Sequence, residues 1–173
     1  YAAATQVWPN SNSLLQFIRE HQLAKASKLD IIAKGSTNGI NLQRFDRSAL
    51  SPAILEETKQ LIRYDAKNTY LLCIGRLVKD KGIVELVNVF SSLQEQQPGM
   101  RLVLAGEYEP SLDPLPEATH RMIENNPAII HINWSNQVEY LMELADYFVF
   151  PSHREGFPNV LLQSGAMQLP IIC

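Results

Sequence analysis

Cysteines and long apolar runs are scarce in this sequence, and each scarcity excludes a class of protein. The two cysteines, Cys73 and Cys173, stand in apolar runs rather than at metal-ligand spacing, which predicts two small core residues in a reducing compartment. No run of about 18 apolar residues is present to span a bilayer, and no charged-then-apolar N-terminus directs secretion. We therefore expect a soluble cytoplasmic protein, for which a peripheral position at the inner face of the membrane remains open.

An excess of positive charge is also lacking. Lysine and arginine number 15 against 18 aspartates and glutamates, and the net charge is -3. A nucleic-acid backbone usually requires a basic surface, so nucleic acid is not an expected partner. The composition, 46% apolar and 19% charged over 173 residues, is that of a globular domain with a substantial core. Small molecules are the expected ligands.

Common motifs for cofactors and for metals are absent as well. The turn after the strand pattern at 70–74 holds Gly75 followed by the bulky Arg76 instead of Gly-x-Gly-x-x-Gly, which argues against a nicotinamide or flavin cofactor. Neither an Asp-x-Asp pair nor a histidine–cysteine cluster stands at metal-ligand spacing. The sequence therefore predicts no cofactor and no metal.

What the sequence does contain is an alternation of strand and helix patterns. Apolar runs of strand length, continuous rather than alternating, lie at 30–33, 70–74, 101–105, 128–132, 147–150 and 169–172. Helical patterns alternate with them at 12–26, 52–64, 83–93, 116–124, 137–144 and 159–167. Continuous apolar strands are covered on both faces, as in parallel sheets. The alternation predicts an α/β fold with a doubly wound, mostly parallel, Rossmann-like sheet.

Ligands of such sheets bind beyond the carboxyl ends of the strands, and two cations of this chain gather at one such end. Arg76 leaves a strand end, and Lys81 stands at the start of the helix pattern that follows. Cations at a helix N-terminus are unfavourable unless an anion lies between them, so a diphosphate would account for the arrangement. A solvated run of surface charge accounts for the same spacing equally well.

A second strand-to-helix turn lies at residues 155–163. Its small and rigid residues leave backbone N–H groups free at a helix N-terminus, which favours a bound anion. Glu155 and Gln163 flank this turn with groups suited to hydroxyls. The turn is therefore a candidate sugar-nucleotide site.

Several segments in fixed order resemble the retaining glycosyltransferases of the GT-B fold, in particular family 4. They lie at 75–77 with 81–82, at 104–106, at 145–152 and at 155–159. The resemblance covers nearly the whole chain, since Asn10-Ser11, 34–40 and Phe45 look like the end of that family's first domain. It implies that residues 1–47 are the end of the acceptor-side domain and its linker. Residues 48–173 would be the sugar-nucleotide-binding domain, the C-terminal half of a GT-B fold, incomplete at its C-terminus.

The resemblance also implies roles for single residues. Arg76 and Lys81 would hold the diphosphate and Glu155 the hydroxyls of the donor sugar, and these three form the catalytic set. Residues 133 and 134 would contact the base, commonly through backbone groups, so the Trp134 side chain is expected to pack. Backbone N–H groups of 157–161 would meet the sugar and phosphates. The donor-binding positions implied in this way are Gly75, Gly106, Asn133, Trp134, Gly156, Phe157, Pro158, Asn159, Val160, Leu161 and Gln163.

Gln163 is where this sequence departs from the family, whose motif is glutamate, seven residues, glutamate. A carboxylate accepts hydrogen bonds from two ribose hydroxyls, whereas an amide offers one acceptor and two donors. A charge-assisted bond of about 1.5–3 kcal/mol thus becomes a neutral one of about 0.5–1.5 kcal/mol. We expect donor binding to survive with weaker affinity.

The resemblance implies a function for the protein that contains this chain. It would transfer a sugar, with retention of configuration, from a nucleotide diphosphate sugar to a glycan or lipid-linked acceptor in polysaccharide or lipopolysaccharide biosynthesis, and the family favours UDP. A non-catalytic nucleotide-sugar-binding domain and a GT-B-fold sugar-nucleotide epimerase remain as alternatives. Catalysis in this fold needs a cleft closed by two domains. We therefore expect the chain to be inactive without the acceptor domain.

Overall fold

The computed structural model describes residues 3–33, 35 and 39–173 of the chain. Its strands are β1 (Thr69–Ile74), β2 (Met100–Ala105), β3 (Ile129–Ile132), β4 (Tyr147–Val149) and β5 (Ile171–Ile172). Its helices are α1 (Asn12–Glu20), α2 (Pro52–Leu61), α3 (Ile83–Gln96), α4 (Glu117–Asn125), α5 (Val138–Leu144) and α6 (Asn159–Ala166). Short 3-10 turns lie at Ala26–Lys28, Arg47–Ala49 and Lys79–Lys81.

The five strands form one parallel sheet in the order β3-β2-β1-β4-β5, with helices on both sides. The register pairs Leu72 of β1 with Val103 of β2 and with Phe148 of β4. All three side chains are buried, as the continuous apolar runs predicted for strands covered on both faces. The α/β class with a doubly wound parallel sheet is confirmed.

The strand order reverses beside β1. The chain moves outward from β1 to β2 and β3, and then returns to the other side of β1 with β4 and β5. Ligands of open parallel sheets bind outside the carboxyl ends of the strands at such a reversal. The topology therefore selects the loops that follow β1 and β4 as the place for a ligand.

Helix α3 covers one face of the sheet with the apolar stripe that the sequence predicted. Ile83, Leu86, Val87 and Phe90 are all buried in the main core cluster, and each contributes about 1.5–3 kcal/mol by leaving water. Cys73 of β1 lies in the same cluster. Burial raises the pKa of its thiol to about 12, so Cys73 is an inert core residue.

Cys173 differs from this expectation. The sequence predicted a second core thiol, but Cys173 is exposed. It follows β5, whose residues Ile171 and Ile172 are themselves exposed. The prediction of a core position for Cys173 is therefore wrong, because an apolar run at an edge strand is covered only where another element packs on it.

The chain divides into two compact units, which are described separately. The N-terminal unit comprises Tyr1–Ile40 and Glu155–Leu162, and the sheet unit comprises Asn41–Arg154 and Gln163–Cys173. Helix α6 contributes residues to both. The division into domains at residue 47 that the resemblance implied stays a prediction.

The N-terminal unit is less regular than the sequence predicted. The expected strand at 30–33 does not form, because Ala33 takes a positive φ of 53° and Leu29 pairs with Val7 in an isolated bridge. The expected helix at 12–26 ends at Glu20, followed by Gln22 at φ 52°, a left-handed residue of the kind that ends helices. Of the family-like segment 34–40, residues 34 and 36–38 lie outside the described residues.

The segment after residue 40 is tied to α5 within the sheet unit. Arg44 bonds the Glu139 carboxylate at 2.7 Å and also donates to the Asn136 carbonyl. Arg47 pairs with Glu143 at 2.5 Å. The hydrogen bond to Glu139 raises the pKa of Arg44. These bonds fix the start of the sheet unit on the helix that follows β3.

Within the described residues, no helix is long and apolar enough to cross a membrane.

Candidate functional site

The carboxyl ends of β1, β2 and β3 are joined by backbone hydrogen bonds. Gly75 N–H donates to Ala105 O at 3.0 Å, and Gly106 N–H donates to Ile132 O at 2.9 Å. Because the strands are parallel, the loops that follow them leave from the same edge of the sheet. The candidate residues Gly75, Arg76, Gly106 and Asn133 all follow strand ends on this edge.

Gly106 has no room for a side chain beside the end of β1. A Cβ atom on Gly106 would lie 2.7 Å from the carbonyl carbon of Gly75. The φ of Gly106 is 154°. The Gly106 carbonyl accepts a hydrogen bond from His131 Nε2 at 2.9 Å. Glycine at position 106 thus allows the ends of β1 and β2 to approach closely, which a residue with a Cβ would prevent.

Arg76 is exposed, while the two residues that follow it are buried. Leu77 N–H donates to Glu107 O at 2.8 Å, and Leu77 and Val78 form bridges with Tyr108 and Pro114. The backbone beside Arg76 is therefore fixed, and the guanidinium stands in solvent. The pKa of Glu109 is lowered, chiefly by its hydrogen bonds with Ser111 and less by attraction to Arg76.

Lys81 closes a 3-10 turn at the start of α3. Its Nζ donates to the Arg154 carbonyl at 3.4 Å, so this lysine reaches the loop that follows β4. Gly82 next to it is buried at φ 67°, and a Cβ there would lie 2.9 Å from the carbonyl carbon of Pro151. The loops after β1 and β4 are therefore in close contact at the strand-order reversal. A cation held at the N-terminus of a 14-residue helix favours an anionic ligand.

Asn133 and Trp134 follow β3 and are exposed. Trp134 is 71% exposed, and its indole N–H donates to Asn136 Oδ1 at 3.0 Å. The expectation that this side chain packs is wrong, because the amide two residues away holds the indole in solvent. The Asn136 carbonyl is itself bonded by Arg44, so the indole is oriented by a fixed partner.

The segment 155–162 belongs to the N-terminal unit, where Glu155 and Gly156 are exposed. A Cβ on Gly156 would lie 2.9 Å from Asn10 Oδ1. Among the described residues this buried amide oxygen has no hydrogen-bond partner. The sequence placed Asn10 only in the family-like end of the first domain, and nothing in its spacing indicated contact with Gly156.

The backbone donors of the second turn are fewer than its length suggests. Pro158 has no N–H, and Leu161 N–H donates to Pro158 O at 3.1 Å within the first turn of α6. Neither of these two residues therefore offers a backbone N–H to a ligand. Gln163 lies in α6 and is half-buried, and its carbonyl accepts from Met167 N–H at 3.0 Å.

The sheet unit thus presents exposed and half-buried cations beside two glycine turns at the carboxyl edge of the sheet. Such an edge can hold a phosphate-bearing ligand through charge and backbone contacts. In the described part of the chain, no three side chains of the metal-binding types cluster closely enough to hold an ion. The absence of a metal from the reaction stays a prediction.

Comparison with known proteins gives a coherent set of matches. Residues 56–173 match the family described as glycosyl transferases group 1. The capsular polysaccharide biosynthesis glycosyltransferase CapM of Staphylococcus aureus is 33% identical over 171 residues, which are 98% of this chain and 43% of that protein.

Two further matches carry more specific names. The N-acetylgalactosamine-N,N'-diacetylbacillosaminyl-diphospho-undecaprenol 4-alpha-N-acetylgalactosaminyltransferase of Campylobacter jejuni is 25% identical and covers 100% of this chain and 42% of that protein. The structure of Anabaena HepE in complex with UDP-glucose matches with a TM-score of 0.77 at 18% identity, over 97% of this chain and 44% of that one. The structural likeness confirms the predicted GT-B class of fold. The chain spans less than half the length of each of these proteins.

Proposed function

The chain belongs to the glycosyl transferases group 1 family, and we propose that it is the donor-binding part of a longer, retaining enzyme of family 4. That enzyme transfers a sugar from a nucleotide diphosphate sugar to a glycan or lipid-linked acceptor. One observation carries the proposal: Arg76 and Lys81 flank the loop between β1 and α3, beside the glycine turns and at the reversal of strand order. This place suits the diphosphate of the donor.

In the proposed mechanism the protein acts mainly through charge. As the bond between the sugar and the diphosphate breaks, negative charge grows on the departing phosphate, and the Arg76 and Lys81 cations stabilise it. Glu155 accepts hydrogen bonds from the hydroxyls of the donor sugar and orients it. The acceptor hydroxyl, bound by the acceptor domain, forms the new bond to the sugar carbon, and its proton passes to the departing phosphate. No metal is required by this scheme, as the family resemblance implies.

The donor we propose is a UDP-sugar, and the acceptor is a growing polysaccharide or a lipid-linked glycan. The UDP-glucose complex of the HepE structure supports the proposed donor. The names of the Staphylococcus and Campylobacter relatives support the proposed acceptor. An enzyme using these substrates would work in the cytoplasm, at the inner face of the membrane where a lipid-linked acceptor is available.

Calorimetric titration of the complete enzyme with UDP, GDP and ADP tests the nucleotide site. We expect UDP to bind most tightly of the three. Absence of binding heat with every nucleotide would refute the proposal. Because closure by two domains completes the cleft, the 173-residue chain alone should transfer no sugar even where it binds UDP.

We predict that Gln163→Glu strengthens UDP binding by about 5–10-fold. A carboxylate makes charge-assisted hydrogen bonds with the ribose diol that exceed those of the amide by about 1 kcal/mol. The dissociation constant from calorimetry measures the effect, and 2′,3′-dideoxy-UDP is the matched ligand because it lacks both hydroxyls. Gln168→Glu, an exposed change just beyond α6, controls for net charge. An equal gain with the dideoxy ligand, or with Gln168→Glu, would remove Gln163 from the ribose site.

Gln163 also motivates a second candidate, a domain that binds nucleotide sugars without transfer. The complete protein would then bind UDP but transfer no radiolabelled sugar to glycans extracted from its own cell. Transfer by the wild-type protein would exclude this reading. Higher transfer by Gln163→Glu would indicate an enzyme with a weakened donor site.

A further inference from the structure

Asp80, the middle residue of the 3-10 turn Lys79–Lys81, forms hydrogen bonds with residues of two other loops. Its N–H donates to Asp113 Oδ2 at 2.6 Å, in the loop that follows β2. Its carbonyl accepts from His153 N–H at 2.9 Å, and its carboxylate accepts from Arg154 Nη2 at 2.6 Å, both in the loop that follows β4. One residue therefore joins the loops of three neighbouring strands.

The charges around Asp80 support this arrangement. Lys79 Nζ lies 3.4 Å from Asp113 Oδ1. The hydrogen bond from the Asp80 N–H lowers the pKa of the Asp113 carboxyl, and Lys79 and Arg154 add to this effect by attraction. His153 Nε2 lies 3.5 Å from Glu85 Oε1 in α3. Carboxylates and cations thus alternate between the turn and the two loops.

The position of Asp80 in the chain links it to Lys81 of the proposed donor site. Lys81 is the next residue, and its Nζ bonds the carbonyl of Arg154 at 3.4 Å. Arg154 is the residue before Glu155 in the sequence. Asp80 therefore fixes the backbone on which the diphosphate lysine stands.

We propose that Asp80 is a positioning residue: its ion pair with Arg154 and its backbone bond to His153 hold Lys81 in the geometry for sugar transfer. This role rests on the proposed function. Asp80 itself contacts neither the sugar nor the diphosphate in this scheme.

Solvent exposure distinguishes this role from a purely structural one. The Arg154 side chain is 83% exposed and that of Asp80 43%, and an ion pair this exposed contributes little to stability. A displacement of about 1 Å at a reacting group can nevertheless cost about a hundredfold in rate. Loss of the pair should therefore change turnover far more than it changes thermal stability.

The test compares Asp80→Asn, Arg154→Gln, the double variant and Arg154→Lys in the complete enzyme. Measurements are kcat and KM for the UDP-sugar, the dissociation constant of UDP, and the melting temperature. Asp80→Asn keeps the size of the side chain and leaves the backbone bonds in place. The matched control is Glu117→Gln with Arg121→Gln, which removes another exposed ion pair, in α4.

We expect each single variant to lose about tenfold or more in kcat/KM for the UDP-sugar. UDP, whose diphosphate Lys81 would hold, should also bind several-fold more weakly. The double variant should lose no more than the worse single one, and Arg154→Lys should recover most of the activity. Melting temperatures should move by less than about 2 °C. Wild-type kcat/KM in both single variants, or losses that multiply in the double variant, would overturn the proposal. A wild-type enzyme that neither binds UDP nor transfers sugar would instead overturn the proposed function and this role with it.

Discussion

Replacing Arg76 by alanine is expected to lower kcat/KM of the complete enzyme for its UDP-sugar by about 10²–10³-fold. The guanidinium is exposed beside a fixed backbone, and its planar fork can make two hydrogen bonds to phosphate oxygens. Charge that develops on the departing diphosphate would lose its partner in the variant. Steady-state kinetics with the sugar nucleotide, together with calorimetry of UDP, measure the loss.

Arg101→Ala is the matched control for this change. Arg101 lies near the start of β2, at the amino ends of the strands and away from the candidate site. Its Nη1 donates hydrogen bonds to Pro98 O and Met100 O, both at 2.8 Å. The same charge is removed there without any change at the strand-end loops. Arg76→Lys should recover only part of the activity, because an ammonium keeps the charge but loses the fork. Equal kinetics of the Arg76→Ala and Arg101→Ala variants would contradict a role of Arg76 at the diphosphate.

The sheet and its core could be predicted because their signals are local. Buried parallel strands read as continuous apolar runs, and the stripe on α3 repeats at three- and four-residue steps. The prediction lost accuracy where a proline interrupts an apolar run. The run at 169–172 gives only the two-residue strand β5. Leu169 instead bonds back to Ser164 O at 3.0 Å, and Pro170 has no N–H to donate.

The candidate site was predictable only in part, for the opposite reason. Arg76 and Lys81 carry a local signal, since both stand beside a strand-to-helix turn. The bond between Asp80 and Arg154 joins residues 74 positions apart, and in the sequence Asp80 is one more charge in a run that a solvated surface explains equally well. The prediction that the Trp134 side chain packs failed for a related reason, because its hydrogen-bond partner Asn136 is polar and keeps the indole in solvent. A contact between two loops can be predicted only when the topology that brings the loops together is known in addition to the sequence pattern.

The close approach of the loops after β1 and β4 has its own test in Gly82→Ala. We expect this change to lower the free energy of unfolding by about 2–5 kcal/mol. Gly82 has a φ of 67°, which strains any residue with a Cβ, and that Cβ would lie 2.9 Å from the Pro151 carbonyl carbon and closer still to its oxygen. Urea denaturation of the chain followed by far-UV circular dichroism measures the change. Fluorescence is less suitable, because Trp8 and Trp134 are both exposed in the folded chain.

Gly165→Ala is the control, because it adds the same methyl group without a collision. Gly165 lies in α6 with nothing within 4 Å of the position that its Cβ would take, so alanine should stabilise the chain by about 0.5–1 kcal/mol. Gly82→Ala should also impair transfer, since moving Pro151 away from the turn separates Asp80 from Arg154. If Gly82→Ala were as stable as wild type, the two loops could not be in the contact that holds Lys81, and the geometric basis for the positioning role of Asp80 would be lost.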